Sequence, residues 1–397
     1  MATFLVGYTI ILALVFLIVF VMLVGNGVIF RNNMTIRRLF GQPLMVYSIR
    51  RVVSGIISVL LAVSATYMLI RLQDTLTLCK AAINNWDKLH AEIRQIRCNQ
   101  ILDELGLSGS VMQQLFTYYY RILPFPKTLC STEMIVGLGS GGGLEINVIS
   151  RNCRNFIIDL GKVYFLDSYV GQYVIDVIFK SKMPHSFKIG AISIVLELAL
   201  GYPLGVYMAK HHDGWIDRIG KAYIISIDAI PGVAYYYIWM TIFCFGFGLP
   251  ILYNEHNFAS WLPAILTIAF TGMAGIALWV RRYMLNEFTA DYVKFARSKG
   301  LSENRIMWVH ILRNAIVPLV RSIPAAILGA LLGSFYIEKI YSIPGLGGLL
   351  IQANNPPQDY FAIQGIVVIS ALISIVAYVS GDIVTAMVDP RISFSKE

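Results

Sequence analysis

The stretch "NEFTADYVKFARSKGLSENRIMWVHILRNAIVPLV", Asn286 to Val320, sets Lys294, Arg297, Lys299, Arg305 and Arg313 between two of the most apolar runs in the chain. A helical pattern from Asn286 ends with Arg297 and Lys299 in its last turn and Gly300 just beyond. Cations suit the negative end of a helix, and glycine accepts the left-handed cap conformation. Ser302 is then a good N-cap, Glu303 suits the positive dipole end, and a second short helix reaches about Asn314. Ile306, Met307, Trp308, Ile311 and Leu312 give that helix a greasy side, Arg305, His310 and Arg313 keep it water-facing, and Pro318 leads into the next apolar run. A helix, turn and helix with apolar anchors and a basic rim fits a groove on a partner protein or a bed of anionic lipid.

The rest of the chain says where this polar element sits. Of 397 residues, 57% are hydrophobic and 14% charged, with mean hydropathy +0.65, too apolar and charge-poor for a soluble globular chain. A helix needs roughly 20 apolar residues to cross a hydrocarbon core of about 30 Å. Seven runs approach that length: 4–30, 52–70, 186–209, 222–248, 260–280, 322–340 and 362–385. The first has no basic residue before Arg31 and no small-residue cleavage site, so it reads as a spanning helix rather than a signal peptide. Cytoplasmic flanks hold Lys and Arg. Arg31, Arg37, Arg38, Arg50 and Arg51, then Lys210, Arg218 and Lys221, then eight more from Arg281 to Arg321 mark three alternate loops as cytoplasmic. The amino terminus is therefore expected outside and the carboxyl terminus inside, and segment 72–185 is long enough to be translocated whatever its charge. The net charge of +9 reads as a topology signal, not a nucleic-acid surface.

Segment 72–185 carries "GLGSGGG" at Gly137 to Gly143, but no Gly-Lys-Ser/Thr follows, so the lysine and hydroxyl of a phosphate loop are missing. Cys79, Cys98, Cys130 and Cys153 all lie in it, an even number that permits two disulfides in three connectivities or four free thiols; the spacing is not that of a zinc site. Within the apolar runs, Glu197 and Asp228 are ionisable groups that are costly to bury in lipid, hence candidates for a translocation path or for packing against polar groups of a neighbouring helix. Pro231 and Gly232 would bend the helix beside Asp228. His211, His212 and Asp213 read as a solvated corner rather than a metal site.

"DYVKFARSKGLSENRIMWVHILRNAIVPLV" resembles the cytoplasmic coupling loop of inner-membrane permeases of binding-protein-dependent ABC importers, in the oligopeptide, dipeptide and nickel branch. Asp291, Tyr292, Ala296, Arg297, Lys299, Gly300, Leu301, Ser302, His310, Arg313, Asn314, Ala315 and Pro318 match that pattern. The wider E-A-A signature is not intact, since Lys294, Phe295 and Ala296 stand there. "YIEKIYSIPGLGGLL" is similar to a second element of the branch at Glu338, Pro344, Gly345, Leu346 and Gly347. "LGYPLG", "WIDRIG", the "DPR" at Asp389 to Arg391 and "IRRVVSGIISVLLAVSATYMLIRL" also look like its members. Two departures stand out: the helix at 4–30 is an addition to the usual six, and the Pro-Gly-Asp-Pro that commonly follows the first span is replaced by "LQDTLTL".

The resemblance implies an all-α polytopic membrane protein with a six-helix permease core. Residues 1–48 would hold the extra helix and a basic linker, 49–71 the first core helix, 72–185 an extracytoplasmic domain, 186–391 the remaining five spans with the coupling loop at 281–321, and 392–397 a cytoplasmic tail. Such a B-type subunit pairs with a second permease and with two cytoplasmic ATPases that carry ATP and Mg, and receives an oligopeptide from a binding protein in a bacterial inner membrane. It holds no cofactor or catalytic site of its own. A dipeptide or nickel importer, or an importer-like nutrient sensor, is the alternative; a channel or secondary transporter would leave the loop unexplained and needs repeats or a filter that the sequence lacks.

Overall fold

The computed structural model describes residues 42–388 apart from 71–75, 77–78, 81–82, 84–85, 105–106, 139–143, 167, 321 and 330–333. The run at 4–30, the linker after it, the "DPR" and the tail 392–397 lie outside the described residues. Among the described residues, three helical stretches are long and apolar enough to cross a membrane: Val174–Lys210, Phe258–Phe288 and Tyr360–Asp382. The chain divides into two compact units.

The first unit takes Ser54–Lys180 and Leu350–Ala371. Helix α1 (Gln42–Ile70) buries Val59, Val63 and Tyr67, spaced four apart on one stripe. Helix α2 (Ala91–Glu104) follows. Helix α3 (Val111–Ile122) opens with a capping box, in which the Gln113 amide donates to the Ser110 hydroxyl at 3.4 Å and the Ser110 amide to the Gln113 side chain at 3.0 Å. Its far end is closed by Lys127, whose ammonium donates to the carbonyls of Arg121 (2.6 Å), Leu123 (2.8 Å) and Tyr120.

Strands β1 (Lys127–Leu138) and β2 (Leu144–Phe156) then form an antiparallel hairpin, which the all-α expectation missed. The glycine run starts within β1, and the next described element after it is a strand and not a helix, so the phosphate-loop reading has no structural support. Cys79 and Cys98 form a disulfide with Cα atoms 5.2 Å apart. Cys153 is also disulfide-bonded, and the hairpin register sets Cys130 opposite it, while Cys244 is free and buried. Asp359, almost wholly buried, accepts the amides of Tyr164 (2.6 Å), Phe165 (2.9 Å) and Ala362 (3.0 Å). It thereby caps the last helix, α11 (Tyr360–Val388), and ties down the 159–166 loop.

The second unit takes Ser181–Leu349 and the chain from Leu372 onward. Its frame is α4 (Met183–Lys210) against α7 (Leu262–Phe288). A Cβ on Gly201 would come within 2.7 Å of Ile276, and one on Gly205 within 2.6 Å of Val280, so the two backbones approach where only glycine fits. Between them the run expected as one span at 222–248 is broken: α5 (Trp215–Ala229) and α6 (Gly232–Met240) with its wider continuation to Gly246 meet at 116°. Proline drives its predecessor out of the α region, and Ile230 is extended at φ −90°, ψ 132°. The run expected at 322–340 is likewise not one helix. Val317–Val320, Ile323–Gly329 and α9 (Phe335–Ile340) are separate, with Pro318 and Pro324 each in the first turn of a new segment, where a missing N–H costs least. Helix α10 (Leu346–Ala353) follows, and α8 belongs to the site described below.

A non-reducing peptide map should recover the Cys79 and Cys98 peptides joined to each other; alkylation of either thiol in the unreduced protein would contradict this unit as described.

Candidate functional site

Helix α7 ends at Phe288, and α8 (Asp291–Ser298) begins only after a break at Thr289 and Ala290. The helix expected from Asn286 starts later because Ala290 is extended at φ −66°, ψ 147°, with the Thr289 hydroxyl turned back onto the Asn286 carbonyl at 3.0 Å. The stop falls where the sequence signals it. Leu301 donates to the Ala296 carbonyl at 3.3 Å, Lys299 to Phe295 at 3.2 Å, and Gly300 has φ +72°. A Cβ on Gly300 would meet nothing within 4 Å, so the requirement there is conformational, not steric.

Ser302 takes the extended N-cap conformation and its carbonyl accepts the Ile306 amide at 3.0 Å, but its hydroxyl makes no cap bond, contrary to expectation. Arg297 latches the turn instead, its Nε 2.7 Å from Oε1 of Glu303 and its Nη2 3.2 Å from Oε2. This pair holds the Glu303 carboxyl below the usual carboxylate range. Its depressed pKa means the latch is complete at neutral pH and weakens only as acid protonates the carboxyl.

After Glu303–Arg305 the helix widens into a π turn, Ile306–Ile311, before Leu312–Ala315. Val293, Ala296, Ile306, Met307, Ile311 and Ala315 bury together against Val206 and Ala209 of α4 and Val280 and Met284 of α7, and Leu301 and Leu312 pack on their edge. Trp308, read from the sequence as part of this greasy side, instead faces out. A helix seated through Ile306, Met307 and Ile311 turns about 100° per residue, which carries the next positions away from the seat. Trp308 is 45% exposed, Val309 51% and Phe295 of α8 60%, with the Lys299 ammonium 4.3 Å from the Phe295 ring centre. Arg305, Arg313 and Pro318 are exposed, His310 and Asn314 half-buried, and Asp291 is exposed and paired with Lys294 at 2.9 Å.

Beneath the loop lies a latch that sequence reading passed over. Asp217 of α5, fully buried, takes both Nε (2.6 Å) and Nη2 (2.9 Å) of Arg281 on α7, and Lys221 at 2.8 Å. The signal was an arginine at the end of an apolar run and an aspartate in "WIDRIG". His212, Asp213 and Asp217 also cluster closely enough to ligate a metal, but Arg281 and Lys221 already neutralise the deepest member. Lys210 at the end of α4 reaches the Asn304 side chain at 3.1 Å, a second tie from the frame to the loop.

The candidate path residues are not brought together. Glu197 on α4 lies over Gly272 of α7, where a Cβ would be 2.2 Å from its carboxyl carbon, while Asp228, Pro231 and Gly232 are exposed at the 116° bend. Glu197 and Asp228 share no hydrogen bond or ion pair among the described residues. A third carboxylate, Glu338, is buried and fully used: it accepts the Ser186 hydroxyl (2.7 Å) and the Gly348 amide (3.0 Å), and Ser186 in turn accepts the Leu346 amide at 2.9 Å. A Cβ on Gly345 would fall 2.3 Å from the Glu338 carboxyl, which explains glycine in "SIPGLGG".

The chain is thus helix-rich, with helices long and apolar enough to span a membrane and a capped helix-turn-helix seated against two of them. The chain belongs to the family of binding-protein-dependent transport system inner membrane components, which matches residues 201–394, and it is a multi-pass membrane permease. It is 37% identical over 212 residues to the oligopeptide transport system permease protein AmiC of Streptococcus pneumoniae, a match that covers 52% of this chain and 42% of that protein. The dipeptide transport system permease protein DppB of Lactococcus lactis is 31% identical, with 56% of this chain and 73% of that protein covered. The oligopeptide transport system permease protein AppB of Bacillus subtilis is also 31% identical, with 54% and 71% covered. The chain thus spans less than half the length of AmiC. Among solved structures, the methionine ABC transporter MetNI in an inward-facing conformation is similar at TM-score 0.44 and 16% identity over 52% of this chain and 94% of that one, too slight a likeness to carry an argument.

Two substitutions separate what holds the loop from what caps it. Gly300→Val forces a left-handed residue, a strain of about 1–2 kcal/mol, whereas Ile311→Ala empties a core position, which costs about 2–5 kcal/mol. Limited proteolysis between Asp291 and Arg313 should accelerate strongly in Ile311→Ala, less in Gly300→Val and least in Gly300→Asn, since asparagine tolerates positive φ. Asp217→Ala leaves Arg281 buried without its partner, worth about 3–5 kcal/mol, and should lower the thermal midpoint more than Lys221→Ala.

Proposed function

We propose that this chain is the transmembrane permease subunit of an ATP-driven importer of oligopeptides. It forms half of the translocation path and couples to cytoplasmic ATPases through the loop from Asp291 to Pro318. One observation carries the reading: Phe295, Trp308 and Val309 are each exposed on a loop whose other face is buried in the α4 and α7 frame, and Arg297, Lys299, Arg305 and Arg313 of the same loop are exposed too. Three large apolar side chains held out rigidly beside a basic rim suit an apolar pocket with an acidic edge on a partner.

In this reading the partners are a second, homologous permease, two ATP-binding subunits that carry ATP and Mg, and an extracytoplasmic peptide-binding protein. This chain binds neither nucleotide nor metal. The amino terminus is outside, the carboxyl terminus and the loop are cytoplasmic, and 72–185 faces the binding protein. ATP-driven closure of the ATPases drags the loops, and because each loop is seated on α4 and α7 through Ile306, Met307 and Ile311, and α7 is in turn tied to α5 through Asp217 and Arg281, the spanning helices move with it as a rigid body. The bend at Pro231 and Gly232, with Asp228 beside it, gives α5 and α6 a place to flex on the path, and Glu197 lies on α4 for the same role. The names of AmiC, DppB and AppB favour peptides as cargo; a dipeptide or nickel importer would use the same loop.

The tagged chain should come out of its own membranes in mild detergent with a second permease and two ATPases, identified by mass spectrometry. The Trp308→Asp variant should keep the permease and lose the ATPases, because a carboxylate is placed in the contact without touching the buried seat. Recovery of the chain alone, or ATPase retention in Trp308→Asp and in Phe295→Asp, would overturn the loop's assigned role.

A further inference from the structure

Helix α3 shows a large apolar stripe outward as well as burying apolar residues inward. A water-facing amphipathic helix buries its apolar stripe and exposes its polar one. Here Gln114, Leu115, Tyr118 and Ile122 are buried and Tyr119 is half-buried, so the inward side is mixed while the outward stripe is apolar. Tyr67 of α1 donates to the Gln114 side chain at 3.1 Å, the Gln114 amide group donates to the carbonyls of Leu107 (2.7 Å) and Gly109 (2.8 Å), and Tyr119 donates to the Leu60 carbonyl at 3.0 Å and meets the Ser64 hydroxyl. The outward stripe is Met112, Phe116, Tyr120 and Leu123, continued by Phe125; Met112 is 58% exposed and Phe116 66%.

Two polar side chains beside that stripe are used within the helix itself. The Gln113 side chain is used in the capping box, and the Thr117 hydroxyl donates to the Gln113 carbonyl at 2.9 Å. The carbonyls at the end of the helix are taken up by Lys127. Internal satisfaction of polar groups beneath an apolar exterior is what hydrocarbon requires and water does not.

The contacts with α1 fix the level at which this surface lies. The apolar part of α1 runs Val52–Met68. Gln114 and Tyr118 both meet Tyr67, one residue inside that end, and the Tyr119 hydroxyl reaches Ser64 and Leu60, the latter eight residues inside, about 12 Å at 1.5 Å per residue. Helix α3 is therefore fastened along the last eight residues of the apolar run of α1, a depth of about 12 Å within one leaflet, whose hydrocarbon half is about 15 Å deep. The neighbouring outward residues of α1, Ile56, Ile57 and Leu61, are exposed and apolar in their turn.

We infer that α3 is an interfacial helix whose Met112, Phe116, Tyr120 and Leu123 stripe is immersed in the leaflet at the Met68 end of α1, so that lipid acyl chains cover it. The segment after the first core span is then anchored in the bilayer surface rather than standing free of it. The assignment needs only that α1 spans the membrane, and holds whatever the cargo.

The test is collision accessibility of a spin label. Phe116→Cys in a Cys244→Ala background is labelled with a nitroxide and reconstituted, with whatever subunits copurify, into phosphatidylcholine and phosphatidylglycerol vesicles, then exposed to oxygen and to a water-soluble nickel chelate. High oxygen and low nickel access is the expected result, repeated at Met112→Cys and Tyr120→Cys as a guard against one misfolded variant, with Cys79–Cys98 pairing checked in each. High nickel access puts the stripe in water and overturns the proposal. Low access to both, with an immobile label, puts protein on the stripe, whether segment 1–30 or a partner, and overturns it equally.

Discussion

The close approach of α4 and α7 is the constraint from which the rest of the second unit follows. Lipid tails are as apolar as leucine, so spanning helices gain little from hydrophobic burial against each other and depend on contact and packing. Gly201 and Gly205 provide that contact against Ile276 and Val280, and the side chains beside them, Val206, Ala209, Val280 and Met284, form the socket in which Ile306, Met307 and Ile311 are seated. Separate the two helices by one methyl group and the socket has no fixed floor.

Magnitudes decide what holds the loop in its socket. The Arg297 and Glu303 latch is exposed on both sides, where solvent screens the attraction and the pair adds little. A fully buried isoleucine contributes about 1.5–3 kcal/mol, and two are present, Ile306 and Ile311. The apolar seat therefore dominates, and the surface pair and glycine cap set the shape of the turn rather than its stability. Buried carboxylates have a different role. Asp217, Glu338 and Asp359 each accept two or more donors, and each fixes the backbone or side chains of a neighbouring loop or helix end.

Much of this was legible in the sequence, and the misses have physical reasons. The turn at Gly300 was readable because cations, glycine and a following serine act locally, within a few residues. The α4 and α7 spans were readable because apolar run length is a local quantity too. The broken helix at Ile230 and Pro231 was flagged as a bend but not as two helices, since composition shows that a proline is present and not how far neighbours let it turn. Trp308 was assigned to the wrong face because it was grouped with its apolar neighbours by composition, whereas its angle from Ile306, Met307 and Ile311 carries it off the seat. The hairpin of β1 and β2 and the pairs Asp217 with Arg281 and Ser186 with Glu338 join residues far apart in the chain, so no window of sequence contains them.

The central claim is that the exposed tip of this loop meets an ATP-binding subunit. A photoreactive benzophenone residue in place of Val309 tests it directly, irradiated in native membranes and followed by identification of the adduct. The account predicts a covalent product with a cytoplasmic ATPase, stronger or weaker with nucleotide but present in both states. Adducts with lipid alone, at a position 51% exposed and held out by a buried seat, would contradict it.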